Sequence, residues 1–463
     1  MKNVTNPADI RPILESAIKN HSVDYCDIRY EIEESSHISF MGKDVQASGS
    51  QKMRGGIVRA CHKGGWGHVL FNDIGSLKNW VEQASTNARH AARKKTELAE
   101  VPIIDAEYPF TMKRDFRTVP FDEKLKTLSE FNEALRTFDD AIRTTNAAYR
   151  EVYRTVWFAS SEGAYYMEER PTMTAALSVK AGKGDIVQTA FDSIRSSDDY
   201  GAFLSLEDKI ETIGKRSLDL LSAPRCEKGV FPVILDQDMG GLFIHEAFGH
   251  LSEADHMSEN EQLKEIMKLG RKLGKPILNV CDDGTMPLAA GTHGVDDEGT
   301  PVGKTQLIKD GVICGFLHSR ETAGMLGMAP TGNARAIDQG FGPIVRMRNT
   351  IIENGTSTFD ELIRDIDDGY YICGGFGGVT QMEQFTFTPG YGFRIKNGKL
   401  DHLVRDLMLT GNVFETLGNI DGIANDFRLK QSAGGCGKNG QGPLPISHGA
   451  PHIRIQNVVT GGK

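Results

Sequence analysis

Apolar side chains recur along this chain with two periods, one helical and one alternating. Ile10, Ile13, Leu14, Ala17 and Ile18 fall on one helical stripe. Proline is tolerated only in a helix's first turn, so Pro12 places the start near Asp9. Three more stripes lie further along: Leu77, Trp80, Val81, Ala84 and Ala88; Phe121, Leu125, Leu128, Phe131, Leu135 and Phe138; and Ile210, Ile213, Leu218 and Leu221. Between the stripes the period drops to two. Cys26, Ile28, Tyr30 and Ile32 alternate as a strand, and segments near 36–41, 55–61 and 65–71 read as further strands. The stretch 142–193 is rich in Tyr, Val, Thr and Ala, with turns at Glu162-Gly163 and Gly182-Lys183-Gly184, and predicts a β-meander.

Ser222-Ala223-Pro224 ends the fourth helix, and the composition changes there. Of 51 glycines, 13 precede residue 226 and 38 come after it, which makes the remainder a turn-rich β region. Lys309-Asp310-Gly311 and Lys396-Asn397-Gly398 lie between apolar runs as hairpin turns do. The predicted fold class is α+β: a mixed N-terminal region, then a β-rich, Gly-rich C-terminal domain carrying the helix of the metal site. The expected division is 1–110, an N-terminal α+β domain; 111–225, a helix plus the meander; and 226–463, the C-terminal domain.

Charge and cysteine usage narrow the function classes. The net charge of −9 and pI of about 5.9 disfavour a nucleic-acid partner. The basic run Arg89–Lys95 reads as a solvated helix face. Without 18 consecutive apolar residues, no membrane span is expected. Met1–Pro7 lacks the apolar core of a signal peptide. Seven scattered cysteines, odd in number and free of CxxC pairs, fit a reducing cytoplasm.

The densest chemistry is His245-Glu246-Ala247-Phe248-Gly249-His250. Two imidazoles can bind a metal ion, and the carboxylate of Glu246 is placed to take the proton from the ion's water, as in zinc-dependent hydrolysis. The spacing is i, i+5 rather than the common i, i+4. On a regular α-helix five residues leave the rings about 140° apart. A one-turn π-bulge, or unwinding near Gly249, would bring them together. The apolar run Val230–Leu235 predicts a strand before this helix, with Asp236 or Asp238 as its cap.

A catalytic zinc takes a third protein ligand. Glu253, Asp255 and His256 are local candidates; His293, His448, His452 and the cysteines are remote ones. Cys436, with four glycines close around it and Lys438 nearby, has the most suggestive setting. Competing signals are weaker. Gly299–Thr305 nearly spells a phosphate loop, but Glu298 stands where its first glycine belongs, and Gln306–Ile313 reads as a hairpin where a helix is needed. No G-x-S-x-G elbow occurs. Asp282-Asp283 and Asp296-Asp297-Glu298 lack EF-hand spacing and read as turn and surface residues.

Several of these segments, in this order, resemble the TldD/PmbA family, and specifically its TldD-type, HExxxH-bearing branch. They are His245–His250 with Glu253 and Asp255, Asp282–Met286, Asp296–Pro301, Pro330–Asn333, and Cys436-Gly437-Lys438 with Gly440-Gln441. The first half is similar more loosely, in its helix–strand pattern and in Arg54–Arg59. The resemblance implies a zinc metallopeptidase that cuts unfolded or extended peptides. One Zn2+ per catalytic chain would be held by His245, His250 and Cys436, with Glu246 catalytic. It also implies a dimer, either of two identical chains or with a PmbA-type chain, around an internal channel. Leu251 and Ala254 depart from the glycines associated with close relatives and leave substrate preference open. The rival reading is a non-catalytic peptide-binding or regulatory subunit with structural zinc, whose site would be closed by a fourth protein ligand.

Overall fold

The computed structural model describes residues 10–19, 21–92, 98–381 and 383–462. The helix start expected at Asp9, the segment Met1–Pro7 and the basic residues 93–95 lie outside them. The N-terminal half is one seven-stranded sheet backed by helices. Its elements are α1 (Ile10–Ile18), β1 (Tyr25–Met41), β2 (Asp44–His62), β3 (Gly65–Phe71), α2 (Leu77–Ala91), β4 (Asp105–Tyr108), α3 (Phe121–Arg136), β5 (Ile142–Ser160), β6 (Tyr165–Lys183), β7 (Ile186–Ser196) and α4 (Glu207–Ser222). The strand order is β3-β2-β1-β5-β6-β4, with β7 on the free part of β6. β1 and β5 pair antiparallel from Asp27↔Ser160 to Met41↔Asn146. Residues on both sides of position 110 therefore share one sheet.

The alternation in β1 separates two chemistries. Cys26, Ile28 and Tyr30 face the core under α1 and α2, and Ile38 and Phe40 face the core under α3 and α4. The opposite face carries Asp27, Arg29, Glu31 and Glu33, none more than 2% exposed. Such a face would ordinarily meet water. Here the C-terminal domain covers it, and its charges are satisfied partly within the sheet and partly across the junction. Arg59 bonds Asp27 (Nε–Oδ1, 3.0 Å) and Glu298 (Nη1–Oε1, 3.0 Å), while Arg170 bonds Glu168 (2.7 Å) and Asp297 (2.8 Å). The acidic cluster 296–298 and Asp282 are thus buried, not surface turns. A turn sequence reads the same whether solvent or a second domain lies above it.

In the C-terminal domain, strands 368–381, 229–235, 453–462, 407–412 and 384–396 pair in that order, and the last pairs back to the first, closing the sheet on itself. A second sheet includes 280–283, 349–352 and 447–450. The two turns expected from sequence are hairpins: Asp310 and Gly311 (φ 50° and 78°) and Asn397 and Gly398 (φ 47° and 71°) take the left-handed conformations such tight turns require. The near-phosphate loop runs into the strand Lys304–Lys309, not a helix. Among the described residues no helix is long and apolar enough to cross a membrane.

Candidate metal centre

The site is built on β8 (Gly229–Leu235) and α5 (Gln237–Ile244). Asp236 caps α5, its carboxylate accepting from the backbone N–H of Met239 (2.7 Å) and of Gly374 (2.9 Å). α5 packs between the strands 368–381 and 447–450. Gly241 permits this, since a Cβ there would lie 2.6 Å from His448 Nδ1. The helix then widens. His245–Gly249 form a π-helical turn, succeeded by a 3-10 turn over His250–Ser252. The extra residue in the turn offsets the i, i+5 spacing, and the two imidazole centroids lie 5.2 Å apart. A Cβ on Gly249 would meet Met347 Sδ at 2.1 Å, so the turn seats tightly on its neighbour.

Cys436 comes from the short strand Cys436–Lys438, and its Sγ is 3.3 Å from His250 Nε2. One ligand atom each from His245, His250 and Cys436 lies within 4.8 Å of the other two. Glu246 stands beside them, its Oε2 4.0 Å from His250 Nε2. Burial pushes the Glu246 carboxyl up from its ordinary range, against the pull of His250. Burial also holds His245 well below its usual value, helped by His250 and His448, so its ring is neutral. His245 Nδ1 has no hydrogen-bond partner although it is buried. A neutral imidazole with an unused nitrogen, a second imidazole and a thiol form a donor set suited to zinc.

Glu253 sits beneath this group rather than in it. Its Oε2 is 3.0 Å from His250 Nδ1, an arrangement in which Nδ1–H donates and Nε2 turns towards Cys436. Burial would lower His250, but Glu253 and the Cys436 sulfur hold it well above its usual value. Glu253 also accepts from the backbone N–H of Met347 (3.1 Å) and meets Lys438 Nζ at 3.0 Å. Lys438 Nζ bonds Asp255 as well, at 2.7 and 2.8 Å. An ammonium therefore sits against Glu253 and Asp255, and with His256 these form a second ligand-like group already served by an ion pair. The other candidates lie elsewhere: His293 is 3.8 Å from Glu168, and His452 bonds Asp426 and Tyr371. His448 is close to His245, with ring centroids 6.2 Å apart, but outside the three-ligand group. Lys438 as the support for Glu253 was not read from sequence. Its signal is the strand period, which puts residues 436 and 438 on one buried side while Gly437 is exposed.

Two cavities meet at Glu246. One, about 710 Å3, is lined by His245 together with charged side chains that include Asp192, Asp238, Arg428 and Lys430. The other, about 670 Å3, is lined by His250 and by apolar groups that include Leu251, Leu263, Ile266 and Phe414. The strand 368–381 borders both through Gly378. Asp192 and Arg195 belong to β7, so the N-terminal half also contributes to this wall.

Comparison with known proteins agrees along the chain. Family models described as PmbA/TldA metallopeptidase domain 1, central domain and C-terminal domain match residues 26–88, 114–223 and 228–462. A metalloprotease of Synechocystis sp. is 39% identical over 461 residues, covering 99% of each chain. A zinc metalloprotease TldD homolog of Saccharolobus solfataricus is 31% identical over 318 residues, covering 68% of this chain and 70% of that one. The crystal structure of TldE from Thermococcus kodakarensis superposes with a TM-score of 0.77 at 19% identity, covering 98% of this chain and all of that one; this likeness concerns the fold.

Proposed function

This chain belongs to the PmbA/TldA (TldD/PmbA) metallopeptidase family, and from that premise we propose that it is a zinc-dependent peptidase acting on unfolded or extended peptides. The observation that carries the reading is the convergence of His245, His250 and Cys436 beside Glu246, at the meeting point of two cavities. His245, His250 and Cys436 would hold the ion. Bound there, zinc would polarise the scissile carbonyl and acidify the attacking water.

The chain's own groups do the rest. Glu246 takes a proton from that water and returns it to the leaving amine, and its burial-raised carboxyl suits both transfers. Glu253 and Lys438 keep the His250 ring in one orientation. An extended peptide would lie across Glu246 and pair its main chain with the glycine-rich part of strand 368–381. We place the protein in the cytoplasm and as a dimer, either with a second copy or with a PmbA-type chain; the seven unpaired cysteines support the compartment.

The test combines metal analysis with digestion of an unstructured peptide, with and without chelator. About one zinc per chain, activity lost with chelator and restored by zinc, is the expected result. Glu246→Ala should retain zinc while cleavage falls by roughly 10²–10⁴. Wild-type cleavage by that variant would remove Glu246 from the mechanism. A structural-zinc regulatory subunit is the rival. Three protein donors, with no fourth in the group among the described residues, support the catalytic reading over it.

A further inference from the structure

A separate cavity of about 540 Å3 lies between the charged face of the N-terminal sheet and the C-terminal domain. Its volume falls in the range of small-molecule sites. Three of the arginines lining it, Arg195, Arg335 and Arg348, have no carboxylate within ion-pair distance among the described residues. Arg335 bonds the carbonyls of Met347 (2.6 Å) and Pro445 (2.7 Å), and Arg348 those of Gly332 (2.6 Å) and Gly291 (2.8 Å). Arg195 bonds the carbonyls of Ser432 and Gly434 and the hydroxyl of Thr172. Arg335 is 4% exposed and Arg348 1%, and Arg348 Nη2 has no hydrogen-bond partner at all.

The acids of the same wall are already engaged. Glu33 pairs with Arg154 (2.6 Å), and Glu168 and Asp297 pair with Arg170 (2.7 and 2.8 Å). Glu169 accepts from the backbone N–H of Phe110 (2.8 Å). Asp338, also on the wall, accepts from the backbone N–H of Gly340 (2.7 Å), and Asp296, Asp282 and Asp297 act on Arg348 only from beyond ion-pair distance, so the arginines without a direct carboxylate partner are what remains. His293, on the same wall, is held well below its ordinary value by burial first, and then by Arg170, Arg348 and Arg335. A buried guanidinium without a carboxylate is costly unless something anionic completes it. Part of the remaining wall is apolar, including Tyr108, Phe110, Ile337 and Pro443, beside hydroxyls such as those of Thr172, Thr174 and Thr292.

We propose that this cavity is a binding site for a small anion, with an oxyanion group (carboxylate or phosphate) seated on the Arg335–Arg348 side and any organic body lying on the apolar wall. Guanidinium groups bind both oxyanions with the same hydrogen-bond geometry. Arg195 lines both this cavity and the charged cavity beside His245, and His245, His250 and Cys436 do not line this one.

Titration calorimetry on the full chain separates the possibilities, with inorganic phosphate, N-acetylphenylalanine and the neutral N-acetylphenylalanine amide as probes. One site per chain for phosphate identifies an inorganic oxyanion, and one for the carboxylate identifies an organic one; either supports the proposal. The Arg335→Gln variant should weaken binding by about tenfold or more. Arg195→Gln, on the partly exposed wall and safer for folding, should weaken it by about threefold or more. His250→Ala should leave it unchanged. Binding of neither anion, equal binding of the amide, or unchanged affinity in Arg195→Gln overturns the proposal. Binding lost only in His250→Ala would place the anion on the metal instead and overturns it equally.

Discussion

Cys436 is the residue on which the metal reading can be tested apart from catalysis. Its thiol is 3.3 Å from His250 Nε2, and thiolate is a far better zinc donor than a hydroxyl. Cys436→Ser is nearly isosteric, so the fold should persist. Its zinc should be lost to a competing chelator more readily by over roughly tenfold, since even outer partners of a zinc site are worth about 10–100-fold. Wild-type retention would move the third ligand elsewhere. His245, Glu246 and His250 were legible because they stand in one hexapeptide. Cys436 was one candidate among many until the order of separated segments singled it out. Lys438 was legible only as a nearby positive charge. Its contact with Glu253 depends on how residue 438 meets residue 253, which no local pattern encodes.

At the level of elements, the π-helical turn joins sequence to site. The i, i+5 spacing demanded a widened turn or an unwound one, and the structure has the widened turn. Gly249→Ala tests how tightly it is held. The added methyl would sit 2.1 Å from Met347 Sδ, so the turn or Met347 must move. A loss of about 1–3 kcal/mol in urea unfolding is expected, with weaker zinc retention. An unchanged midpoint would show that Met347 yields freely. The start of the same helix carries a pH dependence. Burial, then Asp238, raises the Asp236 carboxyl from 3.8 to about 6. Between those values the folded chain holds the proton more tightly than the unfolded one. Asp236 therefore contributes stability below about pH 4 that is lost as pH rises through about 6. Asp236→Asn should flatten this part of the profile. Its amide would face the Gly374 N–H, adding an offset that does not change with pH. Parallel unfolding curves for both proteins from pH 4 to 7 would refute the assignment. Strand periods and turn chemistry made β1, β2 and the two hairpins readable. Their lengths were not: β1 runs on through the segment expected as a separate strand, because pairing with β2 and β5 sustains it to Met41.

Across the whole molecule, the two halves are joined through charge. Asp27, Arg29, Glu31 and Glu33 of β1 look like a solvated face and are buried only because another part of the chain arrives above them. Sequence periodicity gives each face its chemistry but not what covers it, which is why Asp296, Asp297 and Glu298 read as surface residues. Glu298 shows what the junction requires. Its Oε1 meets Arg59 Nη1 at 3.0 Å from across the junction, and its Oε2 accepts from the backbone N–H of Arg320 at 2.9 Å. Arg320 reaches back to Glu162 at the β5–β6 turn with two bonds of 2.7 and 2.9 Å. In Glu298→Gln the amide oxygen can keep one of these bonds, but the NH2 group must then face another donor, and Arg59 retains only Asp27 as a charge partner. Removing one member of a buried network commonly costs about 3–5 kcal/mol. The partner left on Arg59 and the near-isosteric shape reduce the expectation to about 1–3 kcal/mol. The loss should appear as a lower urea midpoint. It should also raise protease sensitivity where β1 and β2 meet the C-terminal domain, with zinc content unchanged because the metal ligands lie on other segments. Loss of zinc in step with the midpoint would instead mean that the junction and the metal centre unfold as one unit.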